Sequence, residues 1–159
     1  MGNYLKSFIA TLLLITGGQA TLMAAEKDAM AQIEGTVTFF YYDDIQAAAP
    51  FYGDLLQLPL TMDAEWVKIY QVTATSSVGL VQQGHGFHEV AEAKPAMLSM
   101  VTSDVDAWYE RLKAANAVIL KELPPLNAEK AAGSAPVRGF VAEDPGGYTI
   151  EFFSWQNQP

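Results

Sequence analysis

The sequence contains no cysteine. That excludes disulfides and a lipid-modified cysteine, so the fold must rest on its core. Positive charge is also scarce. Nine Lys and Arg residues stand against 18 Asp and Glu, a formal net charge of −9. A chain without a basic patch has little means of releasing counterions from phosphate, which argues against nucleic acid and against anionic lipid as partners. The acidity itself is read as solubility. No serine sits in a nucleophile-elbow motif, so Ser/His/Asp catalysis is discarded, and no glycine-rich loop is shaped to cradle phosphate.

What is present is enough for a real core, with 50% hydrophobic and 11% aromatic residues in 159 positions. This length suggests one domain after processing. Residues 1–25 differ from the rest. Lys6 is their only charge, Phe8 to Ile15 is an apolar run too short to span a bilayer, and Gly18-Gln-Ala20 and Met23-Ala-Ala25 then offer small residues suited to cleavage. The expectation is a cleaved signal peptide over 1–25, a polar lead-in over 26–33, and a periplasmic or secreted protein with no stable membrane anchor after processing.

The strongest turn signal is Asp144-Pro145-Gly146-Gly147, where proline presets φ and glycine supplies positive φ. The run from Tyr148 to Trp155 after it is aromatic and β-branched, hence a strand. One carboxylate, Glu151, lies inside that run and shares a face with Thr149 and Phe153. Further strands are expected over Thr36–Tyr42, Glu65–Val72, Ser77–Gln82 and Ala96–Thr102. Helices are expected from Ile45 to Leu56, with Asp44 as N-cap, and from Val105 to Ala115. Pro50 inside the first is expected to kink or shorten it. Residues 84–95 read as a polar loop.

The pattern repeats. Asp44 and Asp104 lie 60 positions apart, and Ile45/Val105, Leu58/Val118 and Leu60/Leu120 keep that offset. Val78–Val81 and Ile150–Phe153 correspond at an offset of 72, which places an insertion of 12 in the Pro-, Ala- and Gly-rich stretch from Leu123 to Ala135. Two copies of a strand–helix–three-strand unit are implied, because one unit alone leaves a sheet face open. The predicted fold is α+β, with two βαβββ modules forming a curved, mixed, eight-stranded cup. The domain spans 34–156, with module one at 34–83 and module two at 96–155.

Three features in this order resemble the vicinal oxygen chelate superfamily, the glyoxalase, bleomycin-resistance and extradiol-dioxygenase group. They are the strand and helix around Asp44-Ile45 and Phe51-Tyr52, the helix from Asp104 to Leu112, and the segment from Asp144 to Glu151. The resemblance covers roughly residues 33–155 and implies paired βαβββ modules and dimerisation. Its metal enzymes hold one divalent ion in the cup with His, Gln or Glu from the first and last strands of each module, leaving positions open for two substrate oxygens. The matching positions here are Val37, Gly79, Met97 and Glu151. Val and Gly cannot ligate, and a thioether is a poor ligand for hard or borderline cations. No cofactor is therefore predicted, with a divalent metal as the alternative.

The alternative metal ligands are Glu151 with His85 and His88, from a His-x-x-His-Glu run ending at Glu89, and Gln82. Gly84 and Gly86 disfavour the helix that would bring the two histidines onto one face, so a surface loop is the favoured reading. The cup lining expected from strand alternation comprises Val37, Phe39 and Tyr41; Met97, Ser99 and Val101; and Thr149, Glu151 and Phe153. Phe39, Tyr41, Trp66, Ser99, Tyr148, Glu151 and Phe153 are the candidate ligand-binding residues, suited to an apolar or aromatic small molecule. Glu151, if desolvated, would have a raised pKa and could serve as a general base. Side chains filling the cup, with Glu151 bonded to Tyr41, Tyr148 or Arg138, are the competing expectation. Two functions stay open: a metal-free binding module, and an enzyme using either atypical metal ligands or Glu151 as base. A possible homodimer would manage the exposed strand edges.

Overall fold

The computed structural model describes residues 33–128 and 135–156. The signal peptide expected over 1–25 and nearly all of the lead-in lie outside the described residues.

Module one runs β1 (Thr36–Tyr42), α1 (Ile45–Pro50), a π-helical segment (Phe51–Leu55), β2 (Leu60–Asp63), β3 (Val67–Thr73) and β4 (Ser76–Gln82). Module two runs β5 (Met97–Val101), α2 (Val105–Ala114), β6 (Val118–Lys121), β7 (Val137–Glu143) and β8 (Thr149–Trp155). Each module is a four-stranded mixed sheet, in the order β1-β4-β3-β2 and β5-β8-β7-β6. The first and last strands of each module pair in parallel, and the other pairs are antiparallel. The paired βαβββ architecture and the repeat are thus present. The extra length of module two falls between β6 and β7, where residues 129–134 lie outside the described residues.

Local chemistry explains the element ends. The Asp44 carboxylate accepts hydrogen bonds from Gln46 N at 2.8 Å and Ala47 N at 3.3 Å, a side-chain N-cap. Pro50 has no N–H, so the α-helical ladder cannot continue unchanged through it. The helix widens there, and Leu56 N reaches back five residues to Phe51 O at 2.9 Å. The second half of the helix, directly after Pro50, is thus π rather than α. Both modules then stop their helices with one residue in the left-handed region, Gln57 at φ 56° and Asn116 at φ 56°. Backbone bonds Leu58 N to Tyr52 O and Ala117 N to Leu112 O, each 3.0 Å, close these ends.

One face of each sheet is buried against its helix. Phe40, Tyr42, Val78 and Leu80 lie with Ile45, Ala48, Tyr52 and Leu56; Phe140, Ala142, Ile150 and Phe152 lie with Val105 and Leu112. Aromatic stacking runs through this layer: Phe40 on Tyr148 at 4.0 Å, Phe140 on Phe152 at 5.2 Å, and Trp108 on Phe152 at 5.0 Å between centroids. The alternate residues face the other way. Val37, Phe39, Met97 and Val101 are between 44% and 60% exposed, which leaves an apolar face open.

Candidate ligand site at the junction of the modules

No backbone ladder joins β1 to β5, which are outer strands of separate sheets. Side chains from the Asp144–Tyr148 turn make the junction instead. Asp144 O accepts from Gly147 N at 3.0 Å, and Gly147 has the left-handed φ of 84° that the turn requires. The Asp144 carboxylate is only 3% exposed. Its Oδ1 accepts from Gly146 N at 2.9 Å and Tyr148 N at 2.8 Å. Its Oδ2 accepts from the hydroxyls of Tyr42 at 2.6 Å and Tyr52 at 2.7 Å, both of module one. The carboxylate is thus satisfied by four donors, none of them a cation. Burial pushes both phenols well above the ordinary tyrosine range, with the nearby Asp144 charge adding to it. Next to them, Tyr148 Oη accepts from Tyr41 N at 2.9 Å and donates to Tyr41 O at 3.1 Å. One phenol thereby clips the outer edge of β1.

This junction places some of the expected ligand-binding residues together and others apart. Phe39 and Tyr41 project from β1 on the open face. Tyr148 is 7% exposed, packs in the core against Phe40 and lines the hollow as well. A hollow of 420 Å³ lies beside Phe39, Tyr41 and Tyr148, bounded on its far side by His88, Glu89 and Lys94 of the linker between modules. Its volume falls in the range that accepts a small molecule. His88 meets Tyr41 edge-on at 5.5 Å, and Tyr41 Oη accepts from Phe87 N at 3.3 Å. Lys94 donates to Ala91 O and lies 5.3 Å above the Tyr148 ring. The hollow thus combines aromatic surface with one anion and one cation.

Ser99 and Glu151 are direct register partners on β5 and β8, and Ser99 Oγ donates to Glu151 Oε2 at 2.6 Å. Glu151 is half-buried rather than desolvated, and its partner is not Tyr41, Tyr148 or Arg138. Arg138 instead forms a two-pronged pair with Asp106, both contacts 2.7 Å, and donates from Nε to Pro124 O. That hydrogen-bonded guanidinium holds the Asp106 carboxyl below its usual value. Phe153 follows on the Glu151 face of β8 and meets Trp155 edge-on at 5.2 Å. Trp66 stands apart, just before β3, stacked on His85 at 5.8 Å.

The family's metal positions do not form a donor set. Phe39 is the register partner of Gly79, and a Cβ built on Gly79 would come within 2.5 Å of the Phe39 ring. An aromatic ring thus occupies the space over one ligand position, Val37 and Met97 hold two others, and Glu151 is bonded by Ser99. The alternative ligands are dispersed. His85 faces Trp66, His88 faces Tyr41, and Gln82 accepts from Ile45 N at 3.1 Å while donating to Asp43 O. Gly84 and Gly86, at φ 80° and 76°, keep the intervening segment a loop. Among the described residues, no group of three or more His, Cys, Asp or Glu side chains is placed to hold an ion.

Paired βαβββ modules with an apolar open face and a hollow at their junction define a class of small-molecule-handling domains. The glyoxalase/bleomycin resistance protein/dioxygenase superfamily profile matches residues 31–152, and the chain belongs to that superfamily. Solved structures share the fold. A glyoxalase/bleomycin resistance protein/dioxygenase from Nocardioides has a TM-score of 0.62 at 17% identity, covering 87% of this chain and 93% of its own. A virulence protein from Salmonella typhimurium reaches 0.59 at 18%, covering 79% and 99%. A glyoxalase/bleomycin resistance protein from Catenulispora acidiphila reaches 0.56 at 21%, covering 76% and 96%. No curated protein matches the chain in sequence.

The sequence reading missed Asp144 as a buried carboxylate. The signal was strand alternation. Arg138, Phe140 and Ala142 of β7 are all buried, and Asp144 continues that register inward.

Proposed function

We propose that this protein is a metal-independent small-molecule-binding domain of the bleomycin-resistance kind, exported to the periplasm or beyond. It would hold an apolar or aromatic ligand against Phe39 and Tyr41. The observation carrying this reading is the donor set itself: Val37, Met97 and Gly79, the last beneath the Phe39 ring, leave Glu151 as the one good donor among the four family positions. The aromatic hollow beside Tyr41, with Glu89 and Lys94 at its margin, supplies stacking surface and two polar anchors. The small size of the amino-terminal apolar run and the small residues after it support export. The open apolar face around Val37, Phe39, Met97 and Val101 supports pairing with a second copy, to be tested by sedimentation.

The direct test is metal analysis of the mature protein purified without a tag or chelator, alongside thermal shifts with added Ni, Zn, Mn, Fe and Mg. The expected result is negligible metal and no stabilisation. Near-stoichiometric metal would overturn the reading. An enzymatic second reading rests on Glu151, whose contact with Ser99 leaves the carboxylate accessible on the open face as a general base. Glu151→Gln separates the two: binding of a neutral ligand survives the change in a binding module, whereas turnover of any substrate found would not.

A further inference from the structure

A second cavity lies on the opposite side of the junction, facing the helices, and nothing in the proposed function uses it. Its volume is 460 Å³, larger than the hollow beside Tyr41. The two modules contribute jointly to its walls. Leu56 and Leu58 come from the end of the π-helical segment and the residues after it, Leu98 and Met100 from β5, Trp108 from α2 and Phe152 from β8. The rim is lined by hydroxyls rather than charges. Thr36 and Thr38 of β1 and Ser77 of β4 stand at the cleft, and among the described residues no charged side chain lines it. Among the described residues, the Thr36, Thr38 and Ser77 hydroxyls make no side-chain hydrogen bond, whereas Thr73 and Ser76 are bonded to each other at 2.7 Å.

We propose that this helix-side cleft is a distinct binding site for a neutral, mostly apolar, ring-containing molecule carrying hydroxyl or carbonyl oxygens. The volume suits a drug-sized ligand. The apolar floor and Trp108 supply burial and a stacking surface, and the free hydroxyls can donate to or accept from neutral oxygens. Among the described residues no cation and no carboxylate lines the cleft, so a charged ligand of either sign finds no partner there. Since the occupant touches both modules, its binding stabilises their pairing by mass action.

The test uses the mature protein and two fluorescent probes of similar ring size, neutral N-phenyl-1-naphthylamine and anionic 8-anilinonaphthalene-1-sulfonate. The neutral probe is expected to bind more tightly, to raise the melting temperature, and to quench tryptophan emission less in Trp108→Phe than in the parent. Thr38→Phe, which fills the cleft, should weaken the neutral probe about tenfold or more, a loss of about 1.4 kcal/mol. Thr36→Phe, nearer the amino-terminal end of β1, repeats the test should Thr38→Phe fail to fold. Val118→Ala, an exposed position of β6 that lines neither cavity, should leave the affinity within about twofold. Loss on Phe39→Ala without loss on the filling variants would assign the probe to the hollow beside Tyr41 and overturn the proposal while leaving the proposed function standing. Equal binding of the anionic probe, or no binding of the neutral one, would also overturn it.

Discussion

Replacing Asp144 by asparagine should destabilise the domain by about 2–4 kcal/mol, a figure built from its four hydrogen bonds. One amide orientation puts the NH2 group against Gly146 N and Tyr148 N, two donors that cannot turn away. The other orientation faces Tyr42 and Tyr52, whose hydroxyl oxygens are 3.0 Å apart and whose O–H groups both point at Oδ2. There the phenols can reorient so that one donates to the other. The cost is then two charge-assisted bonds exchanged for neutral ones, roughly 1 kcal/mol each, plus about 1 kcal/mol for a hydroxyl left without an acceptor. At this domain size the melting temperature should fall by roughly 6–15 °C. Asp144→Ala should cost more, since it abandons all four donors. Urea and thermal unfolding followed by circular dichroism measure the effect. Asp104→Asn is the control, because that exposed side chain makes no capping bond and should change stability by less than about 0.5 kcal/mol. If Asp144→Asn unfolds within the same margin as the control, the carboxylate does not organise the junction and the reasoning fails.

Three further outcomes follow from the same structure. Tyr42 and Tyr52 have phenols raised by burial, so their contribution is complete below the unfolded tyrosine value near 10 and is lost as pH climbs above it; unfolding free energy should fall there by up to about 1.4 kcal/mol per pH unit for each phenol, checked by denaturation at several alkaline pH values. Asp106 has a lowered carboxyl, so its contribution is present above about 3.9 and lost as pH falls through the depressed value. Asp106→Asn should flatten the acid limb of the stability profile, and its cost at neutral pH should stay below about 2 kcal/mol because Asp106 itself is exposed. Gly79→Ala should cost about 1–2 kcal/mol through the Phe39 ring, and a Phe39→Ala background should remove that cost, as a double-mutant cycle would show.

The fold was legible because its signals are local and duplicated. Asp44 caps α1, the Asp144–Gly147 turn joins β7 and β8, and an offset of 60 positions relates the two modules. Pro50 announced a disturbed helix, but that it would widen into a π segment depends on Tyr52 and Leu56 packing into a core whose far side comes from module two. The candidate site was only half legible. Alternation put Ser99 and Glu151 on one face, yet their pairing depends on the β5–β8 register, 52 residues apart in sequence. Phe39 over Gly79 likewise needs the β1–β4 register. Arg138 looked available to Glu151, while the guanidinium leaves on the helix side of β7 toward Asp106 of α2. Tyr148 shares a strand run with the cup residues but belongs by parity to the core.

Among the described residues, every side-chain hydrogen bond between the modules involves Asp144 or Tyr148, and all gather at the carboxyl end of β1. The opposite end, at Thr36 and Val101, has no such fastening. The two sheets are thus plates fastened along one margin, with no backbone ladder between them. A rotation about that margin would widen or narrow the far one without breaking a rung of either ladder, so an occupant's girth would be met by angle instead of by repacking.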